Sequence, residues 1–259
     1  MYYYITEGAR SREEARTLER VREILTNLGI SGEFVTTSPA RTVEELAELG
    51  VAKRYSTIVA VGSDRLVNQV ATLLAGTPYV FGAIPLENPA SLELITGIST
   101  IEEAAQALKF RRVHLVSIAR IEPNKFFLTE THIHVPNPIP VRLTLDSSMA
   151  ELEATDIRLA GSGTIVLSNT FATGGRTTQF WNWLAGRKPR TDIYISQFNS
   201  ERLVIETEGT YPVYLGKDVL AKTPLAVEVL PNTLKIVTRR DSLATQETTQ
   251  PTGGTDSRP

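Results

Sequence analysis

Near residue 110 the spacing of apolar residues changes from a helical period to strict alternation, and few folds accommodate both patterns. Before this point, short β-branched runs alternate with amphipathic segments. Thr57–Val61 is a run suited to a strand that is covered on both faces. Thr42 and Glu45 have the spacing of a capping box at the start of a helix. Alternating strands and helices of this kind predict a doubly wound parallel sheet.

Beyond residue 110, apolar residues recur at every second position, which is typical of strands with one buried face. So many short strands predict a mostly antiparallel β-sandwich. We therefore predict an α/β plus all-β chain with an α/β domain at residues 1–109 and a β-sandwich domain at residues 110–240. Residues 241–259 are rich in Thr, Gln, Gly, Pro and Ser, so we expect a disordered tail.

Two segments interrupt the alternation of the second half. Asn137-Pro138-Ile139-Pro140 is expected to break the series of strands, because proline cannot donate to a ladder. Thr177–Leu184 contains Phe180, Trp181 and Trp183 and is predicted to form one short helix. Its tryptophans would line a lipid cleft or pack in the core, and core packing is the simpler interpretation.

Charge and cysteine content narrow the function classes. The 27 basic and 29 acidic side chains give a net charge of -2, which is not the footprint of a nucleic-acid-binding protein. The sequence has no cysteine, so disulfides, thiolate metal sites and cysteine nucleophiles are excluded. It contains neither a signal-peptide pattern at Met1–Ile5 nor an apolar run of about 20 residues that would span a bilayer. We expect a cytoplasmic protein without a transmembrane segment, and attachment at the membrane surface is an open alternative.

Two turns follow buried strands and should meet at the carboxyl edge of the parallel sheet, where ligands bind in such folds. The first reads V-G-S-D-R-L-V-N-Q-V from Val61 to Val70, and the second reads I-P-L-E-N-P-A-S from Ile84 to Ser91. They resemble V-G-G-D-G-T-L-N-E-V and I-P-L-G-T-G-N-D, the signature of the diacylglycerol kinase and sphingosine kinase-like lipid kinases. Thr223–Leu234 is similar to the family's C-terminal T-P-x-x-x-E-V-L-P-x-x-L pattern.

The resemblance covers about residues 1–240 and implies ATP-dependent phosphorylation of a lipid hydroxyl, with the nucleotide between the two domains and Mg²⁺ as cofactor. On that basis residues 1–109 form the nucleotide-binding domain, and the partners are a nucleotide and a lipid at the membrane surface. Asp64 and Asp218 are the catalytic candidates, and no metal ligand is assigned. The nucleotide-binding candidates are Gly62, Ser63, Arg65, Asn68, Pro85 and Asn88.

The sequence departs from the family pattern at positions that matter for chemistry. Ser63 and Arg65 replace glycines that would let backbone N–H groups close around phosphate, and Leu66 replaces the threonine. In the second turn Glu87 and Pro89 replace glycines. Gly216 stands where the family has the acid thought to serve as the base, and Asp218 stands where the family has a glutamate.

The family's opening N-P-x-x-G segment is also missing, and Thr6-Glu7-Gly8 stands there. We therefore expect activity that is weak or lost. One alternative is a non-catalytic pseudokinase that binds a nucleotide, lipid or protein partner. Another is a nucleotide kinase of the NAD kinase type, which shares the glycine loop but not the C-terminal pattern.

Some candidate residues have simpler interpretations. Arg65 would offer its charge to phosphate or, as we favour, be a solvated residue in the first turn of a helix. Asp64 is equally compatible with a site acid and with a helix N-cap. His132 and His134 would point to one face of a strand as metal ligands can, but the sequence offers no obvious third ligand, which favours a strand surface.

Overall fold

The computed structural model describes residues 1–86, 90–173 and 190–239. The first part of the chain contains, in order, β1 (Tyr2–Thr6), α1 (Arg12–Asn27), β2 (Glu33–Thr36), α2 (Val43–Ala52), β3 (Thr57–Gly62), α3 (Asp64–Leu74), β4 (Val80–Pro85), α4 (Ala90–Thr96) and α5 (Ile101–Phe110). Strands follow: β5 (Val113–Ile121), β6 (Lys125–Phe127), β7 (Thr131–Leu145), β8 (Ser148–Leu159), β9 (Thr164–Thr173), β10 (Arg190–Asn199), β11 (Arg202–Thr207), β12 (Pro212–Leu215), β13 (Asp218–Lys222) and β14 (Leu225–Val237). Among the described residues, none of the helices is long and apolar enough to span a membrane.

The helix starts follow local capping chemistry. The Thr42 hydroxyl accepts from the Glu45 N–H, and the Glu45 carboxylate accepts from the Thr42 N–H, so the predicted capping box of α2 is confirmed. Ser11 caps α1 in the same way, because its hydroxyl accepts from the Glu14 N–H. The Glu14 carboxylate instead accepts from the Arg10 N–H. These contacts are local, which is why the sequence predicts them.

Four parallel strands in the order β4–β3–β1–β2 carry helices on both faces, as predicted. Tyr3 and Ile5 of β1 point into one core, which the buried faces of α2 and α3 complete. Tyr4, between them in sequence, points into a second core with α1 and α5. A third core lies between the strands of the second half and is formed by residues such as Leu143 and Ile165.

The prediction of two separate sheets is not met, because the fourteen strands of the described residues form one hydrogen-bonded network. β14 makes the connection. Its first half pairs antiparallel with β11 and β5, and its last residues continue beyond an irregularity between Leu230 and Leu234. Ile236 then pairs in parallel with Phe81 of β4. One long strand thus joins the parallel and antiparallel parts of the sheet.

Three further expectations concern individual segments. Asn137–Pro140 does not end a strand, since β7 runs through it and absorbs the prolines as a register shift between His134 and Ile139. The helix α4 was not predicted. The predicted helix at Thr177–Leu184 and the tail at 241–259 lie outside the described residues.

Candidate functional site

The strand order creates a switch point beside β1. The chain leaves β1 toward β2 on one side and then returns to form β3 on the other side. Ligands of doubly wound sheets bind at such a point, beyond the carboxyl ends of the strands. Here a cavity of about 290 Å³ opens between the β1–α1 segment, the end of β3 and Leu86.

Gly62 and Ser63 form the wall of this cavity at the end of β3. Ser63 is the N-cap of α3, and its hydroxyl accepts from the Leu66 N–H at 3.3 Å. The same hydroxyl donates to Glu7 Oε1 at 2.9 Å, and the Ser63 N–H donates to Glu7 Oε2 at 3.2 Å. The Glu7 carboxylate therefore binds the turn through both of its oxygens.

Asp64 is the first residue of α3 and is only 5 % exposed. The N-cap interpretation of Asp64 is wrong, because Ser63 is the residue that caps the helix. Asp64 faces the turn between β12 and β13, where a Cβ added to Gly216 would lie 3.7 Å from the Asp64 Cβ. A buried carboxylate at the positive end of a helix is favourably placed, and the turn that faces it contributes a glycine.

Asn68 is 2 % exposed and has all its hydrogen-bonding groups engaged. Its Nδ2 donates to the Asp64 carbonyl at 2.7 Å and to Thr129 Oγ1 at 2.6 Å. Its Oδ1 accepts from the Leu128 N–H at 2.6 Å and the Thr129 N–H at 3.1 Å. Asn68 thus joins α3 to the segment that leads into β7.

Arg65 and Asp218 meet across the groove between α3 and β13. The Arg65 guanidinium lies 3.8 Å from the Asp218 carboxylate, and the two side chains are 59 % and 56 % exposed. This is the solvated position that we favoured for Arg65. Because the pair is exposed and loose, its electrostatic contribution to stability is small.

The second turn begins beside the first, as predicted. Pro85 pairs with Gly62 at the ends of β4 and β3, and the Leu86 N–H donates to the Gly62 carbonyl at 2.9 Å. Pro85 has no N–H to offer a phosphate. Asn88 and its neighbours Glu87 and Pro89 lie outside the described residues.

Sequence reasoning missed Glu130, a half-buried acid immediately before β7. Thr131 pairs with Leu215 of β12, so Glu130 lies one position beyond this pair, toward the turn that contains Gly216. Burial raises the pKa of the Glu130 carboxyl above its usual range, although the Arg158 guanidinium opposes the effect. No local motif marks Glu130, and only the pairing of two distant strands places it there.

No group of three or more histidine or acidic side chains that could hold a metal ion occurs in the part of the chain that the structure describes. His132 stacks on Tyr214 with ring centroids 5.5 Å apart. His134 is 70 % exposed, and its Nδ1 lies 3.9 Å from the Asp156 carboxylate. The two histidines belong to a strand surface, in line with the simpler interpretation.

Comparisons with known proteins agree with this architecture. Residues 6–121 match the family model of the diacylglycerol kinase catalytic domain. The chain is 28 % identical over 126 residues to a protein of Serratia proteamaculans (strain 568) named "Probable lipid kinase YegS-like". That match spans 47 % of this chain and 40 % of the length of that protein.

Solved structures reproduce the fold over nearly the whole chain. A diacylglycerol kinase from Bacillus anthracis str. Sterne superposes with a TM-score of 0.65 at 19 % identity and covers 92 % of this chain and 96 % of its own. A further structure from the same organism reaches a TM-score of 0.67 at 17 % identity with the same coverage. The catalytic-domain match includes the turn from Gly62 to Asn68, of which Gly62 and Ser63 line the cavity. Residues 6–121 are therefore similar to the diacylglycerol kinase catalytic domain, and the chain shares the fold of solved diacylglycerol kinases.

Proposed function

We propose that this protein is a diacylglycerol kinase-like lipid kinase whose ATP-dependent phosphorylation of a lipid hydroxyl is weak or lost. The observation that carries the proposal is the glycine opposite Asp64. A Cβ at position 216 would lie 3.7 Å from the Asp64 Cβ, so an acid there would share the cleft with Asp64. Gly216 has no carboxylate with which to accept the proton of a hydroxyl, a step that in such sites contributes about 100- to 10,000-fold in rate.

Asp218 is a poor replacement for that acid. It lies beyond the turn, at the start of β13, and its exposed carboxylate is close to the Arg65 guanidinium. A base needs hydrogen-bonding reach of the hydroxyl whose proton it takes, together with a pKa suited to that task. Because Asp218 lies beside Arg65 on the exposed side of the turn, it does not take the place of an acid opposite Asp64.

The groups present also do not fit a triphosphate at the Gly62 turn. The Ser63 N–H already donates to Glu7, and Pro85 has no N–H. The Asn68 amide is fully engaged within the protein, and the exposed Arg65 guanidinium lies beside the Asp218 carboxylate. Phosphoryl transfer depends on preorganised donors around the phosphates, so these contacts support low activity.

We propose that the two parts of the chain have the same roles as in an active kinase. Residues 1–109 would provide the nucleotide-type site with Gly62, Ser63, Arg65, Asn68, Pro85 and Asn88, and residues 110–240 would provide the lipid side of the cleft. If turnover is absent, the cleft remains as a binding site for a nucleotide, lipid or protein partner.

The test is ATP consumption by the purified protein with Mg²⁺ across a panel of lipids in mixed micelles. We expect no lipid-dependent turnover above the micelle blank. Gly216→Asp restores an acid opposite Asp64. The φ of residue 216 is 59°, a value that Asp adopts more readily than most other residues. Gly216→Asn is its matched uncharged control. Robust phosphorylation by the unmodified protein that disappears in Asp64→Asn would refute the proposal.

A further inference from the structure

Glu7 lies at the position where an active lipid kinase would bind an anionic group of its substrate. It follows the last residue of β1, and its two carboxylate oxygens bind the N–H and hydroxyl of Ser63. A Cβ added to Gly62 would lie 3.1 Å from Glu7 Oε2, so the carboxylate packs directly on the glycine of the turn. An anion bound by the N–H groups at a helix start is the arrangement by which such turns hold phosphate.

We propose that Glu7 is a specificity-determining residue, whose carboxylate occupies the phosphate position of this turn so that the cavity accepts uncharged ligands in preference to nucleoside triphosphates. The inference rests on the proposed function only in taking this turn as the phosphate position. It adds the reason for the poor fit: the protein supplies its own anion. A phosphate would have to displace Glu7 or share the turn with a second negative charge.

The other charged side chains of the cavity add to its preference for uncharged ligands over triphosphates. Glu13 and Glu14 also line it, and Arg10 is its one cationic side chain among the described residues. The Glu14 carboxylate is held by the Arg10 N–H at 2.6 Å and so remains at the cavity wall. Three carboxylates against one guanidinium repel a triphosphate and leave an uncharged nucleoside unaffected.

Glu7 and Ser63 therefore act together at this position. A glycine at position 63 would leave Glu7 with the backbone bond alone. Serine adds the 2.9 Å hydroxyl bond and still caps α3. Glu7 and Ser63 both depart from the family pattern and are 56 residues apart in sequence. Together they occupy the phosphate position of the turn.

Calorimetric titration of the full chain with ATP and, separately, with adenosine tests the proposal. Wild type is compared with Glu7→Gln, which keeps the size and one acceptor oxygen, and with Glu7→Ala, which empties the position. Removal of a like charge at hydrogen-bonding distance from a partly exposed phosphate site should raise ATP affinity by about tenfold or more. Adenosine affinity should change less than about twofold, because no charge is involved.

Glu13→Gln is the matched control, since it removes one negative charge from the same cavity and Glu13 has no bond to Ser63 in the described structure. We expect it to change ATP affinity only a few-fold, because screening weakens exposed charges at longer range. The proposal is overturned if neither Glu7 variant binds ATP more tightly than wild type, or if Glu13→Gln has the same effect. Far-UV circular dichroism checks that each variant is folded, and Glu7→Ala still decides the question if Glu7→Gln is not.

The two proposals fail in different ways. Tighter ATP binding by Glu7→Gln without lipid phosphorylation supports both the role of Glu7 and the loss of activity. Robust turnover by wild type refutes the loss of activity whatever Glu7 does. Unchanged ATP affinity in both Glu7 variants refutes the role of Glu7 and leaves the argument from Gly216 intact.

Discussion

Replacement of Asn68 by alanine should cost far more stability than its polar character suggests. The side chain is buried and makes four hydrogen bonds, two from its amide nitrogen and two to its carbonyl oxygen. Three of its partner groups belong to Leu128 and Thr129, whose side chains are fully buried. Asn68→Ala leaves two backbone N–H groups and a hydroxyl without their partner in a place that water reaches poorly.

The magnitude follows from those orphaned groups. A neutral hydrogen bond contributes about 1 kcal/mol net, and a buried group left without a partner costs about 1–3 kcal/mol. Some relaxation and partial hydration will reduce the total, so we expect the free energy of unfolding to fall by about 3–5 kcal/mol. This is a large part of the roughly 5–15 kcal/mol that holds a typical domain together.

Urea denaturation at 25 °C, followed by far-UV circular dichroism, measures the change. Gln69→Ala on the same helix is the control, because its side chain makes no hydrogen bond within the described residues, and it should stay within about 0.5 kcal/mol of wild type. Thr129→Val removes only the hydroxyl that accepts from Asn68 and should cost about 1–2 kcal/mol. A loss below about 1 kcal/mol in Asn68→Ala would refute the reasoning, since it would mean that water replaces the amide at little cost.

Two further predictions concern backbone strain and pH. Gly163→Ala places a Cβ 2.4 Å from the Ser200 carbonyl oxygen at a φ of 87° and should destabilise by about 3 kcal/mol or more in urea. Gly76→Ala, at a φ of 73° with no atom within 4 Å, should cost only about 1 kcal/mol, and equal losses would contradict the steric argument. Because burial raises the pKa of Glu130, its contribution to stability is present below the unfolded pKa of about 4.3 and is lost as pH rises through the higher folded value. Glu130→Gln should therefore have a higher Tm than wild type near pH 7 and the same Tm near pH 4; a lower Tm at pH 7 would show that the carboxylate is stabilised by its neighbours.

Much of the α/β part could be predicted because its signals are local. The capping box at Thr42 and the β-branched run of β3 depend on neighbours in sequence. The connection made by β14 could not be predicted in the same way. Ile236 meets Phe81 only after both parts of the chain have folded, and an alternating pattern does not state which strand lies beside which.

The same distinction between local signals and distant contacts applies to the candidate site. The turn from Gly62 to Asn68 is a contiguous motif, and it begins at the carboxyl end of β3 beside the start of the second turn, as expected. Glu7 and Glu130 were missed because each acquires its environment from distant residues. The Glu7 carboxylate accepts a hydrogen bond from Ser63, which is 56 residues away in sequence. Glu130 is brought to the site by the pairing of β7 with β12.

Two of the departures from the lipid kinase pattern make internal contacts, and this bears on how the site came to differ. Ser63 is bonded to Glu7, and Arg65 lies beside Asp218. Buried polar groups without partners are uncommon in folded proteins. In the described residues, the buried side-chain atoms without a hydrogen bond lie elsewhere, for example at the Tyr3 hydroxyl. Under the proposed role of Glu7, the turn is organised around the protein's own carboxylate, which favours a retained cleft with a changed ligand preference over decay.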